Sequence, residues 1–193
     1  MRQEIKDLIA ISHYYGRNRE YVIAGGGNTS FKDDSYLYIK ASGINLGDIT
    51  EEGLCILDRE KLDRIPGQEF SSDPLIREEE VKNALLSSRV DTSKGLRPSV
   101  ETSLHNLFSY NYVVHTHSTL VNGLMCSKDA EKITREIFGN DVLFIPYADP
   151  GYVLFSEISK KIEKYRESYE RDPNVILIQN HGVFVSADST KEI

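Results

Sequence analysis

The chain has 193 residues, a formal net charge of −7, and ordinary apolar (39%) and charged (27%) fractions. This length suits one domain that buries a core unaided, and the acidic balance argues against non-specific nucleic-acid binding. No apolar run approaches the roughly 18 residues of a membrane span, and the charged N-terminal residues do not resemble a signal peptide. We therefore expect one soluble domain over residues 1–193, with neither a nucleic acid nor a membrane as partner.

The two cysteines, Cys55 and Cys126, each lie in an apolar stretch. Free thiols that are buried in the core are expected there rather than a disulfide. Such thiols are typical of the reducing cytoplasm, which is the predicted location of the protein.

The N-terminal part of the chain alternates one helical and two strand patterns. Apolar residues at helical spacing predict an amphipathic helix over residues 3–17. Residues 21–24 and 36–40 predict strands, because they are rich in β-branched and aromatic side chains. The first strand runs into a small-residue loop at 25–32, and the second ends in one at 41–43. We expect these two loops at neighbouring ends of an antiparallel sheet.

The middle of the chain combines a strand, a polar segment and two helices. Residues 53–58 predict a short strand, and residues 60–73 predict a loop. The Asp-Pro pair before residues 75–88 is typical of a helix start. Ser99 is expected to cap the next helix and to place Glu101 in its first turn.

The C-terminal part of the chain alternates short strands and helices. The predicted strands cover residues 112–114, 142–146, 175–179 and 183–185, and the predicted helices cover 120–125, 128–138, 152–170 and, as a beginning only, 189–193. This alternation, without a repeat or linker, predicts a single α/β domain.

Three histidines are the first candidate functional group. His115 and His117 follow a buried strand two residues apart, so both rings can project from one face into one pocket. His181 lies in a turn after another apolar run and could supply a third nitrogen, which is typical of a catalytic zinc site with an open position. The alternative is two unrelated surface histidines and a turn histidine held by the backbone. His13 and His105 are interpreted as structural.

Glu101 is the second candidate. A carboxylate near a helix start usually compensates the helix dipole. Here a short helix joins it to the strand that carries His115, so it could also act as a general base beside a metal.

A cluster of glycine and hydroxyl residues is the third candidate, at 25–30, 42–43 and Ser99. Backbone amides of glycine turns can bind a phosphate dianion without a lysine, although such turns are commonly just turns.

Six short motifs occur in an order that resembles the class II aldolase/adducin family. They are Gly-Gly-Gly-Asn-Thr-Ser at 25–30, Lys-Ala-Ser-Gly at 40–43, Arg-Pro-Ser-Val-Glu-Thr at 97–102, His-Thr-His at 115–117, Pro-Tyr-Ala-Asp-Pro-Gly at 146–151 and Asn-His-Gly-Val at 180–183. The resemblance spans nearly the whole chain. The first and third motifs are most similar to the aldolase half of bifunctional rhamnulose-1-phosphate aldolase/lactaldehyde dehydrogenase proteins.

The resemblance implies a three-layer α/β/α fold around a mostly antiparallel sheet, assembled as a homotetramer. It implies a lyase that cleaves a ketose 1-phosphate, such as rhamnulose or fuculose 1-phosphate, into dihydroxyacetone phosphate and an aldehyde. Zinc or another divalent metal would be held by His115, His117 and His181, and Glu101 would be the acid/base. The substrate phosphate would be contacted by a set of loop residues, namely Gly25, Asn28, Ser42, Gly43 and Ser99.

The sequence also departs from the family pattern. Val100 stands where fuculose-phosphate aldolases carry a second serine, and residues 118–141 lack the tyrosine that those enzymes use on the aldehyde side. The chain stops at Ile193, where the family continues into further helices, so a longer polypeptide with a dehydrogenase domain is one expectation. Sugar-phosphate 4-epimerases, dehydratases and a non-enzymatic adducin-like interaction module share the same scaffold and are the alternatives.

Overall fold

A seven-stranded sheet forms the middle layer of the structure, a computed structural model that describes residues 1–193. The strands are β1 (Asn28–Lys32), β2 (Tyr36–Lys40), β3 (Leu54–Asp58), β4 (Tyr112–Thr116), β5 (Leu143–Ile145), β6 (Val175–Ile178) and β7 (Gly182–Ala187). Their order in the sheet is β3-β2-β1-β4-β7-β6-β5. Only β5 and β6 pair in parallel, which confirms the expectation of a mostly antiparallel sheet.

Helices cover both faces of the sheet. They are α1 (Gln3–Gly16), α2 (Arg59–Arg64), α3 (Pro74–Ser87), α4 (Thr102–Leu107), α5 (Thr119–Met125), α6 (Ala130–Phe138) and α7 (Tyr152–Tyr169). The buried side chains of α2, α3, α4 and α7 pack on one face, and those of α1, α5 and α6 pack on the other. The predicted three-layer α/β/α arrangement is therefore confirmed. None of the helices combines the length and apolar character needed to cross a bilayer.

The central strand β4 shows how alternation divides the core between the layers. Val113 packs in the cluster that includes α4 and α7, whereas Tyr112 and Val114 pack against α1. Successive side chains of a strand point to opposite faces, so His115 lies on the same face as Val113. The ring of Phe184 on β7 stacks on His115 at a centroid distance of 4.1 Å, which extends this core layer to the end of the strand.

The strand that was predicted at residues 21–24 does not form. The segment is a turn, in which the Tyr21 amide donates to the Asn18 carbonyl at 3.0 Å. The strand begins instead at Asn28, inside the predicted loop. Gly27 makes the transition with a φ of +69°, and a Cβ there would lie 2.9 Å from the His115 carbonyl oxygen. Because glycine permits this close contact with β4, the strand begins directly after Gly27 and the loop is shorter than predicted.

Two local predictions near the helices were wrong. Residues 60–73 are not all loop, because α2 begins at Arg59 and buries Leu62. This helix is so short that its apolar residues do not repeat, so the sequence shows no helical period there. Ser99 does not cap α4, which begins at Thr102. Instead, Ser99 Oγ accepts from the Glu101 amide at 3.3 Å, in a turn before the helix.

Two predictions in the second half of the chain were also wrong. Cys55 is buried as expected, but Cys126 is exposed, because it follows the last residue of α5 while Met125 takes the inward position. Residues 189–193 form turns rather than a helix. The Ser189 hydroxyl donates to the Glu192 carboxylate at 2.9 Å and closes that turn locally.

Lys32 is a buried charge on β1, with 2% of its surface exposed and its Nζ donating to the His105 carbonyl at 2.8 Å. Burial, followed by repulsion from Arg59, lowers the pKa of Lys32 to about 7, although Asp63 and Asp188 act in the opposite direction. The side chain of an unfolded lysine has a pKa of about 10.4. The folded chain therefore binds fewer protons than the unfolded chain between these two values, and the stability contributed by this group rises with pH across that window.

We expect Lys32→Met to remove this pH dependence. The free energy of unfolding of the wild type, relative to the variant, should rise by up to about 1.4 kcal/mol per pH unit between about pH 7 and 10. Urea unfolding at several pH values measures the difference. Lys128→Met, at an exposed position, is the control and should leave the slope unchanged. A wild-type slope equal to that of Lys32→Met would contradict the prediction.

Candidate metal and acid–base site

The structure brings the three predicted histidines together. His115 and His117 come from the end of β4 and the residue after it, and His181 lies in the turn between β6 and β7. One nitrogen from each ring lies within 4.8 Å of the other two, and the Nε2 atoms of His115 and His117 are 2.9 Å apart. Asn180 tightens the turn with a φ of +56°, which Asn tolerates better than most residues.

The protonation of His115 is set by its second nitrogen. Its Nδ1 lies 3.0 Å from the Val183 carbonyl oxygen, which can only accept, so Nδ1 donates a proton there and Nε2 presents a lone pair to the site. Burial lowers the pKa of His115 to about 4 and also lowers the pKa of His117. At neutral pH both rings are therefore uncharged, which is the form that binds a metal.

The Glu101 carboxylate completes the cluster. It is buried, and its Oε1 lies 3.3 Å from His115 Nε2 and 3.1 Å from His181 Nε2. Its Oε2 accepts a hydrogen bond from Asn28 Nδ2 at 2.6 Å. Burial alone would raise the pKa of the Glu101 carboxyl, but the neighbouring His115 and His181 rings and the Asn28 amide outweigh it and hold that pKa below its usual value.

Glu101 stands at the position before α4 but makes no capping hydrogen bond to the helix. Its carboxylate turns to the histidines instead. The usual role of such a carboxylate, compensation of the helix dipole, therefore does not explain the orientation of this side chain.

The donor groups of this cluster fit a divalent metal. Glu101 Oε1 is buried and has no hydrogen-bond partner, although ring nitrogens lie close to it. Unpaired buried acceptors are costly, and a group of imidazole nitrogens beside a carboxylate oxygen is a donor set that occurs in zinc sites. A cation between them would satisfy the lone pairs of His115, His117 and His181 at once.

Two of the predicted phosphate contacts lie beside Glu101. Asn28 Nδ2 is 3.4 Å from Ser99 Oγ, in addition to its bond with the carboxylate. Ser42 joins the same region through its backbone, because its amide donates to the Arg97 carbonyl at 2.8 Å.

The two predicted glycine contacts are open positions. A Cβ at Gly25 or Gly43 would meet no atom within 4 Å, and Gly43 has a φ of +84°. The Gly25 to Gly27 turn does approach the site at its middle residue, because a Cβ at Gly26 would lie 3.3 Å from His117 Nδ1.

His105, interpreted as structural from sequence, belongs to the surroundings of this site. It is fully buried, its Nε2 contacts Asn28 Oδ1, and its Nδ1 lies 2.7 Å from Ser30 Oγ. The spacing carries part of the signal, although only the tertiary structure joins the two pairs of residues. Glu101 and His105 are four residues apart at the start of one helix, and Asn28 and Ser30 are two apart on one strand, so each pair shares a face.

A mostly antiparallel sheet between two helical layers, with three histidines and a glutamate gathered at the end of its central strands, defines an α/β protein with a candidate metal site. The family model described as Class II Aldolase and Adducin N-terminal domain matches residues 6–193. The chain belongs to this family.

Three individual proteins are also similar to this chain. It is 27% identical over 201 residues to a Bacillus subtilis protein named "Uncharacterized oxidoreductase YuxG", covering 97% of this chain but only 27% of that protein. It is 26% identical to the L-fuculose phosphate aldolase of Methanocaldococcus jannaschii, covering 86% of this chain and 75% of the aldolase. The solved N-terminal class II aldolase domain of a conserved Thermoplasma acidophilum protein superposes with a TM-score of 0.80 at 25% identity, covering 100% of this chain and 87% of that one.

Proposed function

We propose that the protein is a metal-dependent aldolase that cleaves a ketose or deoxyketose 1-phosphate, such as rhamnulose or fuculose 1-phosphate, to dihydroxyacetone phosphate and an aldehyde. The observation that carries the proposal is the buried Glu101 carboxylate, with one oxygen held by Asn28 and the other beside His115 and His181. The name of the Methanocaldococcus relative supports the substrate class.

His115, His117 and His181 would hold the metal, zinc or another divalent ion. When bound, it supplies Lewis-acid chemistry that stabilises negative charge on substrate oxygens. Glu101 moves the proton at the substrate carbon through Oε1, the oxygen that Asn28 does not occupy. The burial of Glu101 and His115 keeps water away from that transfer.

The loops orient the substrate by its phosphate. Asn28 and Ser99 lie within hydrogen-bond distance of Glu101 or of each other, so a phosphate held there is fixed relative to the acid/base group. Ser42 and Gly43, and Gly25 on the other loop, would offer backbone amides and a hydroxyl at open positions. Val100 supplies no hydroxyl, and its side chain is exposed.

Incubation with three substrates tests the reaction. We expect free dihydroxyacetone phosphate from rhamnulose 1-phosphate or fuculose 1-phosphate, and none from ribulose 5-phosphate. Conversion of ribulose 5-phosphate to its epimer alone would favour an epimerase, and loss of water from a substrate without carbon–carbon cleavage would favour a dehydratase.

The metal content tests the site itself. About one divalent ion per chain is expected for a site of three histidine ligands with an open position. A purified protein that binds none at micromolar zinc would favour an adducin-like interaction module.

The same proposal includes a homotetramer and a link to an oxidoreductase. Exposed apolar side chains on the layer of α5 and α6, Leu120 at 83% and Ile137 at 61%, support an assembly that covers them. The Bacillus relative is named an oxidoreductase and this chain covers only 27% of it, which supports a longer polypeptide with a further oxidoreductase domain. Sedimentation equilibrium tests the homotetramer. A search of the natural reading frame for a glycine-rich dinucleotide-binding motif tests the oxidoreductase domain.

A further inference from the structure

A chain of hydrogen bonds leads from the core to the candidate acid/base group. Ser30 Oγ lies 2.7 Å from His105 Nδ1, His105 Nε2 contacts Asn28 Oδ1, and Asn28 Nδ2 lies 2.6 Å from Glu101 Oε2. Ser30, Asn28 and His105 are all buried. Water does not reach these three side chains, so hydrogen bonds within the protein set their orientation.

The direction of each hydrogen bond follows from the Glu101 carboxylate, which is the acceptor at the end of the series. An ionised Glu101 carboxylate can only accept, so the Asn28 amide must turn its NH₂ to Glu101 and its oxygen to His105. That oxygen accepts from His105 Nε2–H, which leaves Nδ1 without a proton. Ser30 then donates its hydroxyl proton to Nδ1. Each of the three hydrogen bonds thus has one defined donor and one defined acceptor.

His105 also contacts a third residue of β1. Its backbone carbonyl accepts from Lys32 Nζ at 2.8 Å, so the alternate residues Asn28, Ser30 and Lys32 all contact the same residue of α4. The ring packs on Phe184 at 5.6 Å, edge to face. These contacts fix the ring in place. Burial, the main cause, also lowers its pKa to about 3, so it stays neutral.

We propose that His105 is a positioning residue, which holds the Asn28 amide in the one orientation that presents its NH₂ group to Glu101 and to the substrate phosphate. The inference rests on the proposed function where it concerns substrate. An amide free to flip would turn its oxygen to the carboxylate, and the two acceptors would repel each other. The carboxylate would then leave its place beside His115 and His181.

Two variants of similar size and polarity separate this role from mere packing. In His105→Gln the side-chain NH₂ takes the place of Nε2–H and can still donate to Asn28. In His105→Asn the shorter amide reaches only the position of Nδ1, where it can accept from Ser30 but cannot reach Asn28. A packing role predicts that the loss of activity in each variant follows its loss of thermal stability, with no further difference between the two at matched stability. Ser30→Ala is a third, smaller change, which removes only the donor that fixes the tautomer.

The expected rate of cleavage depends on whether the side chain at position 105 can still donate to Asn28. His105→Asn should lower kcat by about 10–100-fold with a smaller change in KM, the effect typical of a residue that orients a functional group. His105→Gln should retain kcat within a few-fold. Equal losses in the two variants, at matched thermal stability, would overturn the proposal.

Nuclear magnetic resonance gives a readout that needs no substrate. The chain has 5 histidines, so ring nitrogen signals can be assigned individually. His105 should show protonated Nε2 and unprotonated Nδ1, and the Asn28 NH₂ group should stay protected from hydrogen exchange in His105→Gln but lose that protection in His105→Asn. An Nδ1-protonated His105 would overturn the proposal even if the protein is an aldolase. If the wild type cleaves no ketose 1-phosphate, the proposed function fails while these signals still decide the role of His105.

Discussion

Glu101→Gln is expected to keep its bound metal and to lose turnover by roughly 10²–10⁴-fold, the range typical of a general acid–base group. The glutamine can present its oxygen to Asn28 Nδ2, as Glu101 Oε2 does now. Its NH₂ group then faces His115 and His181, where it has no lone pair to take a proton. The three histidines are untouched, so the metal stays. Single-turnover kinetics and metal analysis of the same sample measure the two quantities.

The matched control is Glu51→Gln, at an exposed position in a one-turn helix before β3. It changes the net charge by the same amount and should cleave at the wild-type rate. Full activity in Glu101→Gln would show that the proton moves through another group. Loss of metal together with activity would make Glu101 a ligand in the resting enzyme instead.

His117→Ala is expected to lose metal and activity together. Two imidazole nitrogens hold a divalent ion far more weakly than three, and His115 and His181 would remain as the only nitrogen ligands. Because His117 lies after the end of β4 and is not fully buried, its removal should leave the fold intact. Competition with a chelator measures the affinity, and circular dichroism checks the fold.

His13→Ala is the control for this variant. The ring of His13 lies on α1, with its Nε2 2.8 Å from the Ile49 carbonyl, and has no contact with the three-histidine group. It should keep both the metal and the rate. Unchanged metal content in His117→Ala would contradict the assignment of that ring as a ligand.

The strengths and failures of sequence analysis in this chain have identifiable causes. Strands β2 to β4 and helices α3 and α7 were predicted close to their bounds, because their apolar patterns and the Asp73 cap are local. The start of β1 was missed, because Asn28 to Ser30 are polar and form a strand only by pairing with β4. The exposure of Cys126 depends on which side of α5 meets the sheet.

The sequence by itself determined the family, most of the sheet-forming segments and the residue types of the candidate site, since motifs and periodicity are properties of the chain alone. Only the tertiary structure decided that Glu101 faces the histidines rather than its own helix, and that His105 belongs to the same hydrogen-bonded group. The physical reason is that a side chain's partners across the sheet depend on strand pairing. The antiparallel register that sets Asn28 opposite His115 joins residues far apart in sequence, and no local pattern encodes it.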